Sequence, residues 1–154
     1  ESIFEECLQI FKEYYGEDHL KVSLMYVYLG NISRELGDYN KSINLLYKGL
    51  TKYKKHYGPL HTETGWVLIY LGNAYREMGC FTKAKEVLKE GLSIYKSKYD
   101  QNNILIGWTN VLLGDTLREL KDYKNSKYYC EDLLDFLDFL FKIYTLNYFV
   151  NLLI

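Results

Sequence analysis

The sequence predicts an all-α solenoid of antiparallel helix pairs, and three observations carry that reading. The 154 residues hold one proline, Pro59, where average usage would give about eight, and no alternating Thr/Val-rich runs suggest strands. All eleven glycines fall on one lattice: Gly16 and Gly58, then Gly30, Gly72 and Gly114, then Gly37 and Gly79, Gly49 and Gly91, Gly65 and Gly107 are each related by a shift of 42 residues. The three arginines, Arg34, Arg76 and Arg118, and both tryptophans, Trp66 and Trp108, obey the same shift. A helix pair repeated at a fixed period exposes an apolar face that its neighbour must bury, which is the definition of a solenoid.

Each element follows from that lattice. Residues 1–15 carry Ile3, Phe4, Cys7, Leu8, Ile10 and Phe11 at helical spacing and are expected to form the second helix of a truncated preceding repeat. Unit one is placed at 15–56, unit two at 57–98 and unit three at 99–140. In unit two the first helix is expected from about His61 to Met78 and the second from about Thr82 to Lys98, with Gly79-Cys80 between them. Gly37-Asp38 and Lys121-Asp122 stand at the matching turns, where glycine suits the left-handed residue that ends a helix. His19 and His61, with Asn103 in unit three, open the first helices and are read as caps or joint residues.

Glycine in mid-helix costs about 1 kcal/mol relative to alanine, so Gly30, Gly72 and Gly114 are expected at close approaches of the partner helix. Gly49 and Gly91 mark the matching crowded position on the second helix, which Leu133 fills in unit three.

At Leu29-Gly30-Asn31, Leu71-Gly72-Asn73 and Leu113-Gly114-Asp115, with Tyr75 following in unit two, the chain resembles a tetratricopeptide repeat array. Ala84, with Ser42 and Ser126 as counterparts, takes that family's small-residue position on the second helix, and Tyr39, Phe81 and Tyr123 its aromatic position. The 42-residue period and the joint Tyr57-Gly58-Pro59-Leu60-His61 are similar to the longer repeats of the kinesin light chain and nephrocystin families, and Leu-Gly-Asn also resembles spindle-orientation adaptors. The chain departs from the family in lacking a proline at the close of each unit, where Lys54 and Lys96 stand, and in losing two glycines from unit three. The resemblance implies a right-handed superhelical solenoid. It also implies a concave groove that grips an extended peptide.

On a helical wheel of about 100° per residue, Leu68, Leu71, Gly72, Tyr75 and Met78 share one side of the unit-two first helix, expected to meet the second helix. Trp66, Ile69, Tyr70, Asn73, Arg76 and Glu77 share the other. With their lattice counterparts, the peptide-binding candidates are Tyr28, Asn31, Arg34, Trp66, Ile69, Tyr70, Asn73, Arg76, Trp108, Asp115 and Arg118. Asn31 and Asn73 are expected to donate to and accept from a peptide backbone, the arginines to fork carboxylates, and the aromatic side chains to anchor. The structural alternative is that the arginines bridge to carboxylates of a neighbouring repeat and the tryptophans fill the seam between adjacent first helices. On the binding reading, Asn73→Ala and Arg76→Glu weaken partner capture without changing stability.

Other features narrow the function. The 19 basic and 20 acidic side chains leave no strongly basic footprint, so nucleic acid is not the expected partner, although Lys52-Tyr53-Lys54-Lys55-His56-Tyr57 is a basic, aromatic stretch. Cys7, Cys80 and Cys130 are too far apart for a metal motif or disulfide framework; they read as reduced thiols of a cytoplasmic protein. No catalytic or cofactor motif is present, so no cofactor, metal or enzyme activity is expected. The chain opens at Glu1 without a leader and reads as an excerpt of a longer product. Residues 141–154 are apolar, and 136–154 is nearly long enough for a membrane span, but Asp138, Lys142, Asn147 and Asn151 interrupt it. A cap, a homo-oligomer contact or truncation is the preferred account. The expected function is capture of a protein or peptide partner, the alternatives being self-assembly through that segment or service as the regulatory part of a longer enzyme.

Overall fold

In the computed structural model, residues 2–152 are described, with side chains described for 3–142. Seven helices follow one another: α1 (Ser2–Tyr15), α2 (Leu20–Glu35), α3 (Tyr39–Tyr57), α4 (Thr62–Glu77), α5 (Phe81–Lys96), α6 (Ile104–Glu119) and α7 (Tyr123–Leu152). The pairs α2/α3, α4/α5 and α6/α7 are the three units, and α1 packs on α2 as the second helix of a preceding pair would. No break falls near residue 140. The apolar segment continues α7 without a turn to Leu152, and its side chains beyond Lys142 lie outside the described residues.

Polar side chains set where the helices begin. His19 and His61 each accept the backbone N–H two residues on through Nδ1, at 3.2 Å, and Asn103 does the same through Oδ1 at 2.9 Å, so the capping expectation holds. Imidazole also stacks on the tyrosine of the joint: Tyr15 on His19 and Tyr57 on His61, with centroids 4.6 and 4.5 Å apart. The turns within each pair close on a left-handed residue whose neighbours complete a reciprocal pair of backbone hydrogen bonds. At the first turn Gly37 N–H reaches Arg34 O and Asp38 N–H reaches Ser33 O, both at 2.9 Å. Unit three forms the same turn without glycine, Lys121 taking φ 60°.

Packing follows the glycines. A Cβ at Gly30 would lie 2.7 Å from Leu46 Cγ, and one at Gly72 only 2.5 Å from Leu88 Cγ. Leu46 and Leu88 are fully buried there, each contributing about 1.5–3 kcal/mol by leaving water. Gly114 is looser, its closest neighbour being Cys130 Sγ at 3.3 Å. In unit three Phe136 instead lies over Gly107, within 2.8 Å of a Cβ built there. The core runs between repeats: Val27, Leu46, Leu50 and Tyr53 of unit one join Val67, Leu68 and Leu71 of unit two, and Ile69, Leu88 and Leu92 join Ile106 and Leu113 of unit three.

The first helices touch one another, α2 against α4 and α4 against α6, whereas α3, α5 and α7 have no comparable backbone approach. The row therefore bends with the first helices on its inner side. Long side chains span the wider outer spacing: Lys54 to Glu90 at 3.0 Å and Lys96 to Asp132 at 2.9 Å. Those lysines occupy the places where the family carries proline.

Candidate functional site

The inner face of α2, α4 and α6 carries the repeated polar residues. Arg34 donates Nη1 to Glu77 Oε1 of the next unit at 2.6 Å, and Arg76 donates Nη1 to Asp115 Oδ2 at 2.8 Å. The remaining N–H groups of both forks turn back: Nε and Nη2 of Arg34 hold Asn31 Oδ1, and those of Arg76 hold Asn73 Oδ1, at 3.0–3.2 Å. Arg34 also pairs with Glu35. Burial weakens the Arg34 charge, but hydrogen bonding and attraction from Glu77, with Glu35 adding to it, raise its pKa above the ordinary value. Arg118 pairs within its own helix, with Asp115 Oδ1 at 2.5 Å and Glu119 Oε1 at 3.1 Å.

This arrangement realises the structural alternative for Arg34 and Arg76, which tie consecutive repeats. It also corrects the reading of the asparagines. Their carbonyl oxygens are taken by arginine, so they cannot accept from a peptide while those bonds stand; Asn73 is 4% exposed and Asn31 half-buried. Ile69 is corrected too: it is fully buried, facing Gly91 of α5 and the unit-three core. Met78 departs in the other direction, since it caps α4 beyond the last helical turn and is exposed.

The aromatic candidates form a continuous run across the three first helices. Tyr28 meets Trp66 edge to face at 6.4 Å, Trp66 meets Tyr70 at 5.0 Å, and Tyr70 meets Trp108 at 5.6 Å. Tyr28 is exposed, and Trp66, Tyr70 and Trp108 are half-buried, each presenting part of its ring while sealing the seam. Beside the run lies a recess of about 280 Å³ lined by Leu24, Tyr28, Glu63, Trp66, Tyr95 and Leu105. Glu63, Tyr95 and Leu105 were not among the residues expected at the site. Glu63 has no repeated counterpart, Lys21 and Leu105 standing one period either side, so a search for recurring chemistry passes over it. Burial, and then the nearby Glu63 charge, push the Tyr53 phenol up to about 12 and the Tyr95 phenol further.

The basic stretch at the end of α3 is on the outer side and already matched with carboxylates. Lys52 and Lys55 meet Asp18 at 2.9 and 3.2 Å, and Lys54 meets Glu90. Among the described residues no cluster of His, Cys, Asp and Glu could hold a metal ion, and no helix is long and apolar enough to cross a membrane.

A row of helix pairs tied unit to unit, with one face of aromatic and polar side chains, defines a helical repeat scaffold. The sequence profile of the tetratricopeptide repeat matches residues 1–55 and 22–97, and the chain belongs to the tetratricopeptide repeat family. Its fold is similar to that of BtubC (BKLC) from P. vanneervenii, with a TM-score of 0.81 at 17% identity over 90% of this chain and 56% of that one. It is similar also to the nearly identical TPR-like repeats of a kinesin light chain assignment from Podosopora anserina, with a TM-score of 0.70 at 14% identity over 88% of this chain and 64% of that one. This chain thus spans less than two thirds of either neighbour. No curated protein matches its sequence.

Proposed function

We propose that this protein captures a linear segment of a protein partner along the inner face of α2, α4 and α6. Tetratricopeptide repeats are protein-interaction modules, and the finer assignment to this face rests on one observation: the run Tyr28, Trp66, Tyr70, Trp108, which crosses all three units with its rings partly exposed. Rigid aromatic side chains supply contact area at little entropic cost and dominate binding energy in such faces. The mechanism is recognition, with no reaction and no cofactor, and a cytoplasmic setting agrees with three free cysteines. Both tryptophans of the chain belong to this run, so their fluorescence reports on it directly. Peptides selected from a random display library should shift that fluorescence and lose about ten-fold or more in affinity on Tyr70→Ala, while Tyr47→Ala, on the second helix α3, leaves binding intact. Selected peptides indifferent to Tyr70→Ala would place binding elsewhere.

A second reading, self-assembly, is favoured by a different observation. Leu134, Leu137, Leu140 and Phe141 are 59%, 48%, 41% and 71% exposed on α7, more contiguous apolar surface than single scattered residues present. Light scattering on the chain and on its Leu134→Lys/Leu137→Lys variant separates the readings, since a monomer in both removes self-assembly.

A further inference from the structure

We propose that the recess beside Trp66 is a socket for one arginine side chain of the captured segment. The proposal rests on the inner face being the binding face and specifies what that face selects. Its volume, about 280 Å³, falls just short of the range of about 300–1,000 Å³ typical of small-molecule sites; it is sized for a side chain.

The chemistry of the walls selects a cation. Glu63 forms neither an ion pair nor a side-chain hydrogen bond among the described residues; its backbone N–H is the group that His61 caps. Glu63 is exposed in the first turn of α4, where the helix dipole favours a carboxylate. Lys21 and Leu105 occupy the same position in α2 and α6, so the helix start makes no demand for an acid. Tyr95 lines the same recess, is 4% exposed, and its hydroxyl has no hydrogen-bond partner among the described residues. Tyr53, 3% exposed with its ring 6.5 Å from Trp66, is in the same condition. Their rings are buried but the hydroxyls keep access to solvent, since the buried side-chain polar atoms without a partner among the described residues are Ser33 Oγ, Ser42 Oγ and Asn110 Oδ1, and the Glu63 charge acts on both phenols.

A guanidinium entering here meets the Glu63 carboxylate and the Tyr95 hydroxyl as acceptors, with the indole of Trp66 and the ring of Tyr28 as faces to stack on. Arginine fits better than lysine because its planar fork stacks on aromatic rings while donating in several directions, and because it is less strongly hydrated than an ammonium. The wider face agrees in sign: Glu35, Glu63, Glu77, Asp115 and Glu119 outnumber Lys21, Arg34, Arg76 and Arg118. Lys21, the nearest lattice equivalent of Glu63 with opposite charge, is held against Tyr15, with Nζ 2.8 Å from its hydroxyl.

The test titrates a blocked pentapeptide, arginine flanked by two alanines on each side, into the intact chain and follows the indole N–H signals of Trp66 and Trp108 by NMR. Peptides carrying citrulline or lysine at the central position run alongside. A saturable shift of Trp66 is expected, with arginine at least about ten-fold tighter than either replacement and the preference abolished by Glu63→Gln. Citrulline or lysine binding as tightly as arginine, or Glu63→Gln binding arginine unchanged, overturns the socket while leaving the inner face as the binding surface. Silence of both tryptophans toward every peptide, while library-selected segments still shift them, also rejects the socket. Silence toward both kinds of peptide rejects the face itself.

Discussion

Arg76 joins two repeats and one turn of its own helix at once, giving Nη1 to Asp115 of the following unit at 2.8 Å and Nε and Nη2 to Asn73 Oδ1. Arg34 does the same one unit earlier but lands on Glu77. The acceptor changes because unit three carries Asp115 where the earlier units carry asparagine. Removing Arg76 therefore leaves the half-buried Asp115 carboxylate with Arg118 as its one partner and strands the buried Asn73 amide oxygen, and hydrogen bonds to charged groups are worth about 1.5–3 kcal/mol each. Arg76→Ala is predicted to lower stability by about 1–2 kcal/mol, and Arg76→Glu by more because it faces Asp115 and Glu77 with a like charge. The sequence-based expectation that Arg76→Glu would leave stability unchanged is thus revised. Arg118, its side chain 61% exposed and paired only locally, supplies the comparison: Arg118→Ala should move the urea midpoint negligibly. Equal effects at both positions would mean that the inter-repeat tie carries no weight.

The mid-helix glycines are predicted to differ in kind. A methyl at Gly72 meets Leu88 Cγ at 2.5 Å, inside a fully buried contact, and overpacking of that sort costs about 1–3 kcal/mol. A methyl at Gly114 meets nothing closer than the Cys130 sulfur at 3.3 Å, so the helix-propensity gain of about 1 kcal/mol can be realised. Gly72→Ala should therefore destabilise, while Gly114→Ala should be neutral or stabilising, by urea denaturation. A common loss at both would show that glycine is required for some reason other than space.

What the repeat could reveal, and what it could not, follows from the same residues. A shift of 42 carries every local device from unit to unit: the caps at His19, His61 and Asn103, the turn residues Gly37 and Gly79, and the crowded contacts of Gly30 and Gly72. These depend on near neighbours in the chain, and so they were legible. Burial of Ile69 and Asn73 was not, because a wheel orders residues around one helix without saying how many helices surround it. α4 is enclosed by its partner α5, by the preceding second helix α3 and by α2 and α6. Glu63 was missed for the opposite reason, since a search for repetition cannot weigh a residue that occurs once. Lys121 shows a third limit: the surrounding turn imposes its φ of 60° despite the steric cost to a residue with a Cβ.

The second helices offer a test of capping by comparison within one molecule. Asp38 accepts the N–H of Lys41 at 3.1 Å and Asp122 that of Asn125 at 3.4 Å, whereas Cys80, at the same lattice position, makes no side-chain cap. Cys80→Asp is predicted to stabilise the chain by about 1 kcal/mol, read as a higher thermal midpoint. A fall would mean that the packing of Cys80 against the unit-one and unit-two core outweighs the cap.

A similar comparison applies to Ser42, whose buried hydroxyl has no partner among the described residues. Ala84 fills the matching position in unit two, fully buried, and Ser126 in unit three donates to Gly114 O at 2.8 Å. An unsatisfied buried polar group costs about 1–3 kcal/mol. Ser42→Ala should raise stability by about 1 kcal/mol and Ser126→Ala should not, so a gain at both would point to helix propensity as the cause instead.

Alkaline pH probes the buried phenols that flank the recess. Tyr53 is driven up from the ordinary value of 10.0 to about 12, first by burial and then by the Glu63 charge, and Tyr75 and Tyr95 are also raised, chiefly by burial. A group whose pKa is higher in the folded chain binds its proton more tightly there, so its stabilisation is complete below pH 10 and is lost as the pH rises through 12. Stability measured by urea denaturation is predicted to be level with respect to Tyr53 below pH 10 and to fall across that window. Tyrosinate absorbance should show a late-titrating fraction among the seventeen tyrosines that merges with the rest once the chain unfolds. Tyr53→Phe removes a hydroxyl with no protein partner among the described residues and should flatten the fall without harming the fold. Glu63→Gln should move the late fraction downward, because the carboxylate charge contributes to holding the Tyr53 and Tyr95 protons in place. A titration curve indifferent to Glu63→Gln would show that burial alone sets these values and that the carboxylate stands too far from the phenols to share a ligand with them.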